Sequence, residues 1–186
     1  LAGIAWGGKE NIQNKPVTMG TISSLSPLQY SNEMAEALIV YAEYGQVNMV
    51  ALLSQAGATA PITIPGLLVT QNAEILAGII LTQLVNPGSP VIYGSTSTVT
   101  DMRSGSLAVG APELSVIQNA TQQMGQYYGV PTRGSGAITD THCLDMQAGI
   151  ESTLALTTTI MSGANFILHG CGILGSYLAM SFEKFL

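Results

Sequence analysis

The stretch ITDTHCLDMQAG at 138–149 places Asp140, His142, Cys143 and Asp145 within six residues of a chain that has two histidines and two cysteines in all. Three chemistries could use such a cluster. A metal ion could draw on His142, Cys143 and Asp145, with His169 and Cys171, because these are side chains that zinc prefers. Against it, no C-x-x-C or H-E-x-x-H occurs, and consecutive His and Cys rarely aim at one ion, so no metal is assigned. A nucleophilic Cys143 would need a nearby base, and His169 serves only if the two loops adjoin. The third chemistry is a cation pocket, with ring faces from Tyr93, Tyr127, Tyr128 and Trp6 and negative charge from Asp101, Asp140 and Glu151. Tyr127 and Tyr128 also read as packing residues at a helix end. Arg103 and Arg133, the only two arginines, suit a ligand carboxylate or phosphate, and a structural ion pair is the plainer role for each.

Composition narrows the partners. Only 9% of the 186 residues are charged, and the net charge is −6 with five Lys and Arg, so nothing basic could neutralise a nucleic-acid backbone. A hydrophobic share of 47% is ample for a core and excludes disorder. Two cysteines are too few for a disulfide framework. Residues 44–73, 75–100 and 152–182 carry no Asp, Glu, Lys or Arg. Polar clusters such as Thr157-Thr158-Thr159 interrupt them, none holds 18 consecutive apolar residues, and no membrane span is expected. The start LAGIAWGGKENIQNKP lacks a signal-peptide pattern, so a cytoplasmic protein is expected. A first residue other than Met suggests an excerpt of a longer chain.

Strand, short loop and helix recur. Strands rich in Val and Ile are expected at 16–22, 46–53, 90–95, 131–138 and 164–169. Between them lie helices over 31–45, 70–88, 112–129 and 145–163, with another beginning in 176–186. The second is read with Thr70 as its cap and Leu76, Ile79, Ile80 and Leu84 as its inner stripe; Asp145 caps the fourth. Strand starts about 35–45 residues apart suit βα units. The fold class is therefore α/β, a parallel β/α barrel incomplete over about five units, with residues 1–186 part of one catalytic domain. A doubly wound open sheet is the competitor, although no GxGxxG follows a strand. Polar residues follow the strand ends: Ser23, Ser54 with Gln55, Ser95 with Thr96, Asp140 with His142, His169 with Cys171. In barrels that rim carries the chemistry, and each Ser or Thr there also reads as a helix cap.

Several segments together are similar to the trimethylamine methyltransferase family. They are QNAEILAGIILTQLVNPGSPVIYGSTSTVTDMRSG (71–105), APELSVI (111–117), YYGVPTRGSGAITD (127–140), LDMQAGIES (144–152) and GANFILHGCGILGSYLAMSFEKF (163–185), with a looser fit over 1–59. The resemblance implies a β/α barrel that moves a methyl group from a methylated amine to the Co(I) corrinoid of a partner protein. No cofactor would be bound tightly by this chain itself, and a homo-oligomer is expected. The founding trimethylamine enzymes carry pyrrolysine in the loop that corresponds to Thr139–Asp145, where this sequence has ordinary residues and places His142. That departure favours quaternary amines such as glycine betaine. On this reading Asp140 and His142 are the catalytic candidates. Tyr93, Asp101, Arg103, Arg133, Glu151 and His169 are the substrate-binding ones, with His169 on a betaine carboxylate and Tyr93 and Asp140 facing the nitrogen. Trimethylamine as substrate, a non-catalytic betaine binder and a metal-dependent barrel hydrolase remain the alternatives.

Overall fold

Five strands run side by side in chain order, all parallel. The computed structural model describes residues 1–13 and 15–186. A short helix α1 (Ala2–Ala5) and a 3-10 turn (Glu10–Ile12) precede β1 (Met19–Ile22), α2 (Asn32–Glu43), β2 (Val47–Leu52) and β3 (Gln55–Ala56). Then come α3 (Ile64–Val85), β4 (Val91–Ser95), β5 (Thr98–Thr100), β6 (Leu107–Ala108) and α4 (Pro112–Tyr127). The chain closes with β7 (Thr132–Ser135), α5 (Met146–Met161), β8 (Phe166–Leu168), β9 (Ile173–Leu174), β10 (Ala179–Met180) and α6 (Phe182–Phe185). The main sheet has the order β1-β2-β4-β7-β8 with every pairing parallel. A doubly wound sheet would reverse that order at a switch point. No reversal occurs, and the sheet curls as an incomplete β/α barrel.

The register assigns each side chain to a face. Val50, Tyr93 and Thr132 are aligned across β2, β4 and β7. Val50 and Tyr93 cluster with Leu52, Ile75 of α3 and Met124 of α4, so this row faces the helices. One residue on, Ala51, Gly94, Arg133 and Phe166 form a row on the opposite, concave face. Period-two alternation permits no other sorting. Two small accessory sheets sit on the loops after the strands: β3 parallel to β5 with β6 antiparallel to it, and the β9–β10 pair.

The helices begin where capping chemistry is available. Ser31 caps α2 by accepting from the Met34 amide at 3.2 Å, and Asp145 caps α5 by accepting from Ala148 at 2.9 Å. Gly45 and Gly129 end α2 and α4 at φ +64° and +68°, a conformation glycine adopts without strain. The expected cap of α3 is wrong. Thr63 caps it, with Pro65 in the first turn, and Thr70 lies inside the helix with its hydroxyl donating to the Gly66 carbonyl. The expected stripe is wrong as well, because Ile80 and Leu84 are 57% and 76% exposed. The buried face is Leu67, Gln71, Glu74, Ile75, Gly78 and Thr82. An apolar periodicity search passes over it because half of it is polar.

Those polar residues are all engaged. Gln71 donates to Thr121 of α4 and accepts from Ser95 of β4, at 2.8 and 2.7 Å. The Glu74 carboxylate accepts from the Ser24 and Ser26 hydroxyls and the Leu28 amide, and its carbonyl accepts from Tyr30. Burial, then the Glu74 charge, pushes the Tyr30 phenol up to about 12. Among the described residues α3 is also the one helix long and apolar enough, at 22 residues, to cross a membrane by length and composition. Its inner face nevertheless carries this hydrogen-bonded row against the sheet. The last helix is shorter than expected: only Phe182–Phe185 is helical, since Ser176 and Tyr177 take left-handed φ and lead into the β9–β10 pair.

At Gly78 α3 packs tightly against Val50 of β2 and Tyr30. An added Cβ would lie 2.7 Å from the Tyr30 hydroxyl and 2.9 Å from Val50 Cγ1. Gly78→Ala would gain about 1 kcal/mol of helix propensity, whereas overpacking costs about 1–3 kcal/mol. Net destabilisation is expected, read as a lower midpoint in thermal unfolding of the complete polypeptide; a raised midpoint would refute this packing.

Candidate active site at the strand ends

Arg133 leaves β7 on the concave face and turns toward the C-terminal ends of the strands. Gly94 beside it on β4 makes room, because a Cβ there would come within 2.9 Å of Arg133 Cβ and 3.0 Å of its Cδ. Arg133 is 2% exposed. Its Nη1 donates to the Ser95 carbonyl and the Thr96 hydroxyl, both at 2.9 Å, and its Nη2 lies 3.4 Å from His169 Nδ1. Its Nε has no partner. Burial lowers the Arg133 pKa to about 10, so the charge persists at neutral pH.

His169 follows β8 at φ +60°, a strained conformation for a residue with a side chain. Burial, and then the Arg133 charge, pushes its imidazole below the ordinary value of 6.5. A guanidinium is a donor only. The facing Nδ1 is therefore the acceptor, and the neutral ring carries its proton on Nε2. The Tyr177 ring meets the imidazole edge-on, centroids 5.0 Å apart. Burial holds the Tyr177 phenol protonated up to about 12, partly offset by Arg133. Its buried hydroxyl faces Ser135, near enough for that side chain to lower its pKa but outside full hydrogen-bonding geometry.

The carboxylates expected here act as clamps. Asp140 accepts from the Val109 and Gly110 amides at 3.0 and 2.8 Å, and from the Ser176 hydroxyl. Glu151 accepts from the Thr139 hydroxyl at 2.6 Å, the Asp140 amide at 2.9 Å and Gln147 at 2.7 Å. Together they bind the loop after β6, the loop after β7 and the loop after β9. His142 is exposed beside Gly175, whose amide donates to the Thr141 carbonyl at 2.8 Å.

The structure thus brings Arg133 and His169 together, with Asp140 in the adjoining loop, Glu151 on α5 behind that loop, and His142 on the outer rim. Other candidates lie elsewhere. Tyr93 points into the helix layer, where its hydroxyl donates to Asn72 at 2.8 Å and its ring packs 5.9 Å from Tyr128, so a ligand on the concave face does not meet it. Asp101 is exposed and closes its own turn, accepting from the Arg103 amide and the Ser104 hydroxyl; Arg103 is exposed as well. The Trp6 face is taken by Lys15, 4.5 Å from the ring centroid. Cys143 and Cys171 are exposed and free. Among the described residues no group of three or more His, Cys, Asp and Glu side chains could hold a metal ion. Sequence reading missed Tyr177, Ser176 and Ser135. Left-handed φ at a non-glycine leaves no mark in sequence, and SYLAM reads as a helix start.

The family model for trimethylamine methyltransferase (MTTB) matches residues 2–186. The chain belongs to the trimethylamine methyltransferase family. Within it, this chain is 50% identical over 186 residues to a glycine betaine methyltransferase of Desulfitobacterium hafniense (strain Y51), covering 100% of this chain and 39% of that protein. It is 44% identical over 175 residues to a proline betaine:corrinoid methyltransferase of Eubacterium limosum, 94% of this chain and 36% of that protein. To the trimethylamine methyltransferase MttB of Methanosarcina barkeri (strain Fusaro / DSM 804) the identity is 37% over 178 residues, 96% of this chain and 36% of that one. The chain spans less than two fifths of the length of these family members. The family match also takes in residues 2–59, where the sequence resemblance is looser.

Two outcomes test this geometry. Because the folded His169 pKa lies below 6.5, the unfolded chain takes up that proton first. The stability His169 contributes is therefore complete above about 6.5 and lost as pH falls through the folded value. NMR titration should place the His169 imidazole below free histidine, and His169→Gln should flatten the stability loss on acidification; a normal or raised value would remove Arg133 from its vicinity. Asp140→Ala leaves the Val109 and Gly110 amides without their acceptor, at a cost of about 2–3 kcal/mol. Denaturant unfolding should show that loss, and hydrogen exchange should quicken at those two amides; unchanged exchange would contradict the clamp.

Proposed function

We propose that this chain is part of a cytoplasmic methyltransferase that carries a methyl group from a quaternary amine of the betaine type to the Co(I) corrinoid of a partner protein. The observation that carries the reading is identity of 50% and 44% to two enzymes named for betaine substrates, against 37% to one named for trimethylamine. A betaine joins a quaternary ammonium to a carboxylate. The geometry supports the same class. Asp140, Glu151 and His169 are not poised as general acids: the two carboxylates are occupied by amides and hydroxyls, and burial beside Arg133 favours neutral His169.

A quaternary ammonium requires no such acid. The N–CH3 bond breaks with its electron pair left on nitrogen, so the leaving group is already a neutral tertiary amine. The corrinoid, a substrate on the partner, supplies the electron pair of Co(I) that forms the new bond to carbon. What this chain must do is hold the amine, exclude water and orient one methyl, and positioning of that kind can supply a large share of catalysis. Trimethylamine reaches a neutral leaving group only while its nitrogen holds a proton, so a rim acting on it would have to keep that proton in place. The hydrolase alternative finds no metal-ligand group among the described residues.

The experiment is to supply the complete polypeptide with glycine betaine and a Co(I) corrinoid protein. Equal formation of dimethylglycine and methyl-Co(III), followed by product analysis and the cobalt absorbance, is the expected result. Saturable betaine binding with no demethylated product would make the protein a non-catalytic binder.

A further inference from the structure

We infer that Lys184 is a positioning residue for methyl transfer: its ammonium latches the segment 170–186 to the loop after β7 and so keeps Tyr177 against His169 on the rim. The latch stands on geometry, and its bearing on catalysis rests on the betaine reading. Lys184 lies on the four-residue helix α6. Ser181 caps that helix by accepting from the Lys184 amide at 3.2 Å, and the Ser181 amide donates to the Gly172 carbonyl at 2.8 Å. The side chain reaches inward, where Nζ donates to the carbonyls of Ala137 at 2.7 Å and Ile173 at 2.5 Å. Ala137 belongs to the loop after β7, and Ile173 opens β9 in the segment after β8. The ladder between β7 and β8 has already ended there, with Ser135 opposite Leu168 and the Gly136 amide on the Leu168 carbonyl. A hydrogen bond from an ionised donor is the stronger kind, and here it joins two stretches that the sheet no longer holds.

The latched segment needs outside support. His169, Ser176 and Tyr177 take left-handed φ of +60°, +52° and +76°, a backbone that persists in non-glycine residues only where the surroundings hold it. At the outer turn the Gly175 and Ser176 amides donate to the Thr141 and Thr139 carbonyls at 2.8 and 3.0 Å, and the Ser176 hydroxyl is tied to Asp140. At the base the tie is Lys184. Ile173, whose carbonyl it holds, packs with Tyr177 on one buried cluster of Val109, Leu114, Ile138 and Ala155. Releasing that carbonyl loosens Ile173 in the cluster and with it Tyr177, whose ring meets His169. Burial lowers the Lys184 pKa, while Glu151 of α5 and Cys171, the titratable groups that face it, favour the ammonium form that the two carbonyls require. Without the latch the segment spends part of its time away from the rim. Substrate then binds only the closed fraction, which raises the apparent Kd by the inverse of that fraction. Once bound, it meets the same rim and reacts at the same rate.

The test uses the complete polypeptide as wild type, Lys184→Met and Lys184→Gln, with glycine betaine as ligand and a Co(I) corrinoid protein as methyl acceptor. Lys184→Met keeps an aliphatic stem and removes the donors. Its KM and calorimetric Kd for glycine betaine should rise about tenfold or more, the effect of one hydrogen bond to a charged group, while kcat stays within about twofold. Hydrogen exchange should quicken at the Gly175 and Ser176 amides and stay unchanged at the Tyr93 amide, which donates to the Pro131 carbonyl within the sheet. Lys184→Gln, shorter and uncharged, should move KM in the same direction, and it decides the matter if Lys184→Met does not fold. A lysine that only stabilises the fold would lower kcat through loss of active protein, leave KM alone and quicken exchange at all three amides together. That result would overturn the inference, and so would a Lys184→Met variant indistinguishable from wild type. A raised Kd and local exchange, with no methyl transfer by wild type, would sustain the latch and refute the methyltransferase reading. If wild type does not bind glycine betaine, the betaine reading fails and the exchange pattern alone decides the latch.

Discussion

A buried guanidinium with no carboxylate beside it organises the C-terminal face of this sheet. Arg133 cannot shed its charge at neutral pH, since burial lowers its pKa only to about 10. The protein therefore surrounds it with neutral acceptors: the Ser95 carbonyl, the Thr96 hydroxyl and His169 Nδ1. Two of these acceptors lie at the end of β4 and the third follows β8, so one side chain of β7 links the ends of all three strands. The same charge explains two neighbours. Position 94 is glycine because the side chain's path crosses it, and the His169 imidazole stays neutral partly because a second cation beside Arg133 would repel it.

The helix layer is fixed by a related economy. With 9% charged residues the chain has few ion pairs to deploy, and it uses carboxamides. Asn48 donates to the Leu38 carbonyl, Gln118 to the Ser95 carbonyl and Gln122 to the Arg133 carbonyl, at 3.0, 2.9 and 3.1 Å. Every one of these residues is buried. An amide pays a smaller desolvation penalty than a charge and still fixes direction. Gln118 and Gln122 reach the strands that carry Ser95 and Arg133, so the registers of α4, β4 and β7 at the rim are set from behind the sheet. Glu74 is the exception, a buried carboxylate satisfied by two hydroxyls and an amide rather than by a cation. It binds the loop after β1 to α3 and gives that side of the rim its shape.

How much of this could be read from the residues alone follows from which signals are local. Strand positions and the parallel order were legible, because Val- and Ile-rich runs spaced by helix-length segments have few other solutions. The Asp145 cap was legible for the same reason: an Asp immediately before a helical run has one common use. The inner face of α3 was not. Hydrophobicity pointed to Leu76, Ile79, Ile80 and Leu84, whereas burial fell on Gln71, Glu74 and Thr82, whose partners include Thr121, Ser24 and Asn48, 34 to 50 residues away. At the rim, Arg133 and His169 were legible as candidates by type and by place at a strand end. Tyr93 was not assignable, since a shift of one residue decides whether a side chain meets the helices or the concave face. Tyr177 depends on left-handed backbone at two non-glycine residues, which composition and periodicity do not record.

The rim also separates structural from chemical uses of charge. From the sequence Asp140 is a catalytic candidate and Glu151 a substrate-binding one. In the structure their oxygens accept from Val109, Gly110, Ser176, Thr139 and the Asp140 amide itself. A general acid needs an oxygen free to present its proton; both oxygens of each group already accept hydrogen bonds in this arrangement. What they do instead is lock three loops to one another, which holds Tyr177 against His169. Arg133 is the converse case, a side chain ordinary in sequence terms whose partners leave donor capacity unspent. The carboxylates hold the loops rigid, while Arg133 keeps an Nε–H without a partner.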